Sequence, residues 1–194
     1  METTLKLLTL LFFFGWRMYW WITEKKANKE KPKTQIKPSL FHPKRLSQHS
    51  LWFVGLLLFF QLFLNVNIWS MPTNISLPLV GFIFVVIGLL VAIVSRRQLD
   101  TNWANAWEYQ VKHKQDLVTH GVYSYVRNPI YTGVVLAVIG AELVAQSYLF
   151  LIACLFFWGA YKQAKLEEVI LEKHFGKQYL AYKQKTKMFF PFIW

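Results

Sequence analysis

The stretch His120-Gly-Val-Tyr-Ser-Tyr-Val-Arg-Asn-Pro-Ile-Tyr-Thr-Gly133 joins a polar, basic segment to an almost uncharged apolar run that continues to Gln146. Pro129 fixes its own φ and has no N–H to lose, so it suits the first turn of a helix, and Asn128 before it is a good N-cap. A helix is therefore expected to begin here. Its first N–H groups lack intrahelical partners and carry the positive end of the helix dipole, and Arg127 adds a planar guanidinium one residue earlier. That combination attracts a carboxylate or phosphate, and the apolar run behind it puts the anion site at a membrane surface.

Working outward, four more apolar runs appear. Residues 5–22 end in Trp20, Trp21 and Ile22, interfacial residues that favour an uncleaved anchor over a signal peptide. Residues 51–69 and 75–95 flank Ser-Met-Pro-Thr-Asn and read as one antiparallel hairpin. Residues 130–146 and 148–161 form a second hairpin about Gln146-Ser147. The expected fold is all-α, a single polytopic membrane bundle over 1–194 with about five spanning helices. Residues 96–129 and 162–194 then form its cytosolic parts.

Composition agrees, since 55% of the 194 residues are hydrophobic and 18% aromatic. The single cysteine, Cys154, lies in an apolar run and reads as a small buried hydrophobe, so no disulfide framework is available. Eight Lys/Arg fall in 23–49, a polar stretch expected to be a basic loop, five in 95–128 and seven in 161–194, together 20 of the 22. A five-span topology puts all three segments on one side, so the positive-inside rule places the N-terminus outside and the C-terminus in the cytosol. The net charge of +12 then needs no nucleic acid, because the basic residues are dispersed and juxtamembrane. His42, His49, His113, His120 and His174 are scattered, and no metal site is expected.

A helix running from residue 148 to about residue 175 exceeds the hydrocarbon core, so its last turns, with Glu167 and Glu168, project beyond the bilayer on the side where Arg127 leaves it. An acid pair is thus expected to face the anion site across a short gap. A ligand with a carboxylate and with an ammonium or diol would suit it. Singly, each feature has a plainer reading. The Glu pair is also what a solvated helix face carries, and Arg127 with Tyr123, Tyr125 and Tyr131 is also what a headgroup anchor in an aromatic belt looks like.

Taken together, Leu117-Val-Thr-His-Gly-Val-Tyr123, Val126-Arg-Asn-Pro-Ile-Tyr-Thr-Gly133 and Glu167-Glu-Val-Ile-Leu-Glu-Lys-His-Phe-Gly-Lys-Gln-Tyr-Leu-Ala-Tyr182 closely resemble the isoprenylcysteine carboxyl methyltransferase and phospholipid methyltransferase superfamily. The resemblance covers about 102–191, with its blocks in the right order around a two-span hairpin. It implies a membrane methyltransferase that takes S-adenosylmethionine as cofactor and a membrane lipid or lipid-modified molecule as acceptor. It further implies that Glu108, Gln115, Leu117, Val118, Gly121, Tyr123, Asn128, Pro129, Tyr131, Glu167 and Glu168 line the cofactor site. Arg127 and Tyr131 would sit beside the reacting groups, and Gln163 would take a substrate position. The chain departs from the family pattern at Gln115, where a His is common, and at Asn128, where Arg-His-Pro is common. It departs again at Gln163, where the animal prenylcysteine enzymes have Arg. Carboxyl O-methylation and phospholipid amine N-methylation both remain open, as do a reductase of the sterol-reductase kind using a nicotinamide cofactor and a noncatalytic membrane protein.

Overall fold

The computed structural model describes residues 1–29, 55–64, 66, 69–72, 76–100 and 116–191, with side chains omitted at 27–29, 152–154 and 156. Glu108, Gln115, much of the expected 51–69 span and the Cys154 side chain lie outside the described residues. In chain order the helices are α1 (Glu2–Lys29), α2 (residues 55–63), α3 (Ser76–Leu99), a 3-10 turn (Gly121–Ser124), α4 (Pro129–Val144), α5 (Phe150–Phe175) and α6 (Lys177–Lys185). The all-α expectation holds among the described residues, where the pairings outside helices are two isolated bridges.

Helix α1 corrects one expectation, for it runs seven residues into the segment read as a basic loop. Glu24, Lys25, Lys26 and Ala27 are good helix formers, and the first proline is Pro32. The Lys25 ammonium lies 3.6 Å from the centroid of the Trp21 ring, adding a cation–π contact along the extra turn.

α3 and α4 are the centre of the bundle, and they meet backbone to backbone. Gly81 faces Gly140 and Gly88 faces Gly133, an antiparallel register with one pair every seven residues on each helix. A methyl built on Gly81 would stand 2.6 Å from the Gly140 carbonyl, and one on Gly140 would stand 2.5 Å from that of Gly81. Missing side chains therefore let the helices approach closely enough for extended van der Waals contact, the main source of helix association where lipid removes the hydrophobic drive. Around this seam, Val85 and Leu89 of α3 and Ala137, Val138, Ala141 and Val144 of α4 pack with Leu5, Leu10, Phe13 and Trp16 of α1 and with Leu58 and Leu62 of α2.

The other face of α3 is just as apolar. Leu79, Val80, Ile83, Ile87, Leu90 and Val94 recur at helical spacing and are exposed. A helix apolar on all sides is at home in lipid. Among the described residues α3 is the one helix long and apolar enough to cross a membrane by length and composition, and α4 is a shorter apolar helix.

Both hairpins turn at the same end, and they are stitched together there. The Met71 N–H donates to the Gln146 carbonyl at 2.7 Å and the Tyr148 N–H to the Trp69 carbonyl at 2.9 Å, making an antiparallel bridge between Ser70 and Ser147. Trp69 and Gln146 both adopt positive φ to make these turns. Just beneath, Gln61 Nε2 donates to the Glu142 carboxylate at 3.2 Å, so a polar contact ties α2 to α4 inside the apolar bundle.

The glycine seam makes a direct prediction. Gly81→Ala should lower thermal stability in detergent by about 1–3 kcal/mol, because a methyl there meets backbone that cannot swing aside. Gly159→Ala on α5, where nothing lies within 4 Å, should be neutral or slightly stabilising.

Candidate active site

The opposite end of the bundle gathers the residues singled out in the sequence. Gly121 adopts φ +62°, where a side chain would be strained, and it packs against the amide end of Gln98. Gln98 Oε1 accepts from the Val122 N–H at 3.0 Å, so the last turn of α3 fixes where the loop begins. Leu117 is half-buried and Val118 buried on the approach, while His120 is exposed. Tyr123 turns inward, and the Tyr182 hydroxyl of α6 donates to its carbonyl at 2.7 Å.

From there the loop is clasped by the C-terminal segment. The Lys187 N–H donates to the Tyr125 carbonyl at 3.2 Å, the Arg127 N–H to the Lys187 carbonyl at 2.8 Å and the Asn128 N–H to the Met188 carbonyl at 3.1 Å, a short parallel pairing. Helix α4 starts where Asn128-Pro129 predicts, with Pro129 in the first turn, but the Asn128 side chain does not cap it. Its Nδ2 donates instead to the Met188 carbonyl at 3.3 Å, because the tail offers an acceptor beside it. Thr132 Oγ1 donates to the Phe189 carbonyl at 3.0 Å and extends the same seam by one turn.

The gap expected between Arg127 and the acid pair is closed. Arg127 Nε donates to Glu168 Oε1 at 2.7 Å, and Nη1 donates to the carbonyls of Lys183 and Thr186. Nη2 makes no bond among the described residues. Both members of the ion pair are buried, with side chains 9% and 3% exposed, and Lys183 Nζ lies 3.4 Å from Glu168 Oε2. Lys183 also pairs with Glu172, which draws its own pKa upward.

Glu167, the neighbour of Glu168, points elsewhere. The Tyr131 hydroxyl donates to Glu167 Oε1 at 2.6 Å and Gln163 Nε2 donates to the same oxygen at 3.2 Å, which brings three sequence-predicted residues from α4 and α5 together. Oε2 has no hydrogen bond to the described residues. Burial holds the Glu167 carboxyl above its usual 4.5, with the two hydrogen bonds opposing. Burial likewise pushes the Tyr123 phenol up, and the nearby Glu167 charge adds to the effect. Beneath this cluster Ala164, Met188 and Phe189 form a small core with Tyr131, Phe157 and Tyr161 packed against it.

Residues 77–178, just over half the chain, match the family model described as phospholipid methyltransferase. The chain belongs to the phospholipid methyltransferase family. The matched window holds α3, the loop, α4 and α5, whereas the tail that clasps Arg127 and Asn128 lies past its end. A probable protein-S-isoprenylcysteine O-methyltransferase of Oryza sativa subsp. indica is 33% identical over 119 residues, 59% of this chain and 61% of that protein. The protein-S-isoprenylcysteine O-methyltransferase of Dictyostelium discoideum is 26% identical over 160 residues, 76% of this chain and 67% of that one. The chain thus spans about three fifths of the length of the rice relative. Among solved structures, the eukaryotic intramembrane Ras methyltransferase, an isoprenylcysteine carboxyl methyltransferase, shares the fold with a TM-score of 0.57. The likeness has 21% identity and covers 79% of this chain and 55% of that one.

Within this family member, sequence reasoning missed Gln98, Tyr182, Lys183, Thr186 and Phe189, all of which hold the loop or the start of α4. Most of them act through one or two bonds to distant segments; Tyr182 closes the third motif block, and no local pattern marks the others.

Two measurements test the arrangement. Glu168→Gln leaves a buried guanidinium short of its counter-charge and should cost about 3–5 kcal/mol in thermal or denaturant unfolding, whereas Glu172→Gln, at the half-exposed pair with Lys183, should cost at most about 1 kcal/mol. The second is a pH profile. A carboxyl whose folded pKa is raised stabilises the protonated fold, so the contribution of Glu167 is complete below 4.5 and lost as pH rises through its folded value. The stability of wild type relative to Glu167→Gln should therefore decline steadily from pH 4.5 upward.

Proposed function

We propose that this chain is an integral membrane methyltransferase that uses S-adenosylmethionine to methylate a lipid or lipid-linked acceptor at the cytosolic face. The observation that carries the proposal is the Glu167 carboxylate, where two neutral side chains fill Oε1 and Oε2 is left for a donor from a ligand. An ammonium or a ribose hydroxyl is such a donor, and the aromatic rings of Tyr123, Tyr131 and Tyr161 in the same region suit a sulfonium, so the residues present fit this cofactor. Leu117, Val118, Gly121, Asn128 and Pro129 are assigned to the cofactor site by the family resemblance, with Asn128 and Pro129 at the start of the helix that carries Tyr131. Glu168 serves the site by holding Arg127.

When bound, the cofactor supplies a methyl group activated by the positive sulfur, transferred by in-line displacement. The tasks of the chain are alignment and exclusion of water. Tyr131 and Gln163 orient the Glu167 carboxylate. Arg127 fastens the tail through Nη1 and Glu168 through Nε, and so keeps the loop from Val126 to Pro129 rigid over the start of α4. The tail residues Met188 and Phe189 close the floor of the cluster against solvent.

The five-span topology is part of this reading, with the N-terminus outside and the C-terminus cytosolic. The apolar outer face of α3, the paired hairpins and the clustering of basic residues in three segments support it.

The names of the relatives favour a prenylcysteine carboxylate as acceptor. A phospholipid amine is the second reading, and one observation favours it. Among the described residues the guanidinium of the cluster is already paired with Glu168, and Gln163 is neutral, so little positive charge remains to hold an acceptor carboxylate. Transfer of label from S-adenosylmethionine to a prenylcysteine peptide and to phosphatidylethanolamine, compared in the same membranes, decides between them.

Titration calorimetry tests the site itself. Glu167→Gln should weaken S-adenosylmethionine at least tenfold, since a hydrogen bond to a charged group is worth about 1.5–3 kcal/mol, while Glu172→Gln should bind as wild type does. Binding of NADPH in place of S-adenosylmethionine would move the assignment to a reductase, and binding of neither would favour a noncatalytic protein.

A further inference from the structure

Helix α5 carries a face that the proposed chemistry does not use. Leu151, Leu155, Trp158, Lys162, Lys165, Leu166, Val169 and Lys173 follow one another at steps of three or four, apart from the adjacent pair Lys165 and Leu166, so they lie along a single stripe of the helix. All of them are exposed, Leu155 at 68%, Trp158 at 55%, Leu166 at 51% and Val169 at 64%. The stripe begins purely apolar, as a lipid-facing surface should, and then becomes an alternation of lysines with large apolar side chains. Glu167 and Glu168 point to other sides of the helix and are engaged by Tyr131, Gln163 and Arg127.

Two details of the stripe say what covers it. The Lys162 ammonium lies 5.3 Å from the Trp158 ring centroid and that of Lys165 lies 5.5 Å from the Tyr161 ring, so both side chains reach back by about a turn toward the spanning part of the helix. The Lys162 charge thus stands level with the exposed Trp158 and that of Lys165 with Tyr161, and tryptophan and tyrosine are the residues enriched where acyl chains meet headgroups. Lys162, Lys165 and Lys173 make no ion pair with the described residues, and the stripe contains no acid. Leu166 and Val169, one and two turns past Lys162, keep the stripe apolar after its lysines begin, as a face lying at a bilayer surface does. A second copy of the chain is a poor cover, because like stripes laid together would oppose their lysines.

We propose that the outward stripe of α5 from Lys162 to Lys173 lies on an anionic phospholipid leaflet, with the lysines on lipid phosphates and Leu166 and Val169 in the acyl boundary. The inference rests on reading the first half of α5 as membrane-spanning. Its consequence is that the Glu167 and Tyr131 cluster, on another side of the same turns, sits at headgroup depth, where a lipid acceptor meets it without leaving the bilayer. The lipid charge then sets the tilt of the helix that carries Glu167.

Nitroxide labels on the full chain test this, with Cys154→Ser as background and single labels at Leu155→Cys, Leu166→Cys and Val169→Cys. The protein is placed in bilayers of phosphatidylcholine alone and of phosphatidylcholine with phosphatidylglycerol, and collision with oxygen is compared with collision with a water-soluble nickel chelate. The label at 155 should favour oxygen in both bilayers. Labels at 166 and 169 should show a several-fold higher oxygen-to-nickel ratio in the anionic bilayer, and the rise should vanish when Lys162, Lys165 and Lys173 are all replaced by glutamine. Three outcomes overturn the proposal with the label at 155 still in lipid: free access of nickel at 166 and 169 in both bilayers, protection from both reagents as under a protein partner, or a ratio indifferent to lipid charge. A label at 155 open to nickel would overturn the spanning reading of α5 and the proposal with it.

Discussion

The ion pair between Arg127 and Glu168 ties together parts of the chain that are far apart in sequence. Arg127 stands just before α4, Glu168 lies in the second half of α5, and the carbonyls of Lys183 and Thr186 close the end of α6. A guanidinium can serve all of them at once because its donors spread in a plane, which an ammonium cannot imitate. Burying two charges costs about as much as their attraction returns, so the pair is better understood as a device of arrangement than as a reserve of stability. With the pair in place the tail from Thr186 to Phe189 lies along the start of α4, and α5 is rotated so that Glu167, the next residue, reaches Tyr131.

A second constraint acts from the other direction. The glycine contacts between α3 and α4 leave no slack along the bundle axis, and through Gln98 the end of α3 sets where the loop at Gly121 begins. The site is therefore suspended between a rigid apolar seam and a polar clasp. The seam uses the absence of side chains and the clasp uses a concentration of them. In the membrane topology proposed above each suits its surroundings, since lipid rewards close backbone approach and an aqueous edge tolerates charge.

At that edge two neighbouring glutamates have different duties. Glu168 is paired with Arg127 and organises the protein, whereas Glu167 has only neutral donors and a carboxyl shifted upward by burial. One step along a helix turns a side chain through about 100°, and that rotation separates the carboxylate paired with Arg127 from the one bonded by Tyr131 and Gln163.

The sequence by itself determined that the chain is helical, where α4 begins, and that Arg127, Tyr131, Glu167 and Glu168 gather at one end of the bundle. Those features follow from local rules: apolar runs long enough to be helices in lipid, Asn128-Pro129 at a helix start, Gln146-Ser147 at a turn, and blocks of motif in a recognisable order. The end of α1 was misjudged because composition suggests a loop where helix formers continue to Lys29. Only the tertiary structure decided how the site residues divide their work. Arg127 and the acid pair were legible as neighbours on one face, but whether the guanidinium met a ligand or Glu168 depends on a tail nearly sixty residues away along the chain. The same tail draws the Asn128 side chain away from its cap. A hydrogen bond between distant segments leaves no period or spacing in a sequence, because either partner taken alone is an ordinary polar residue.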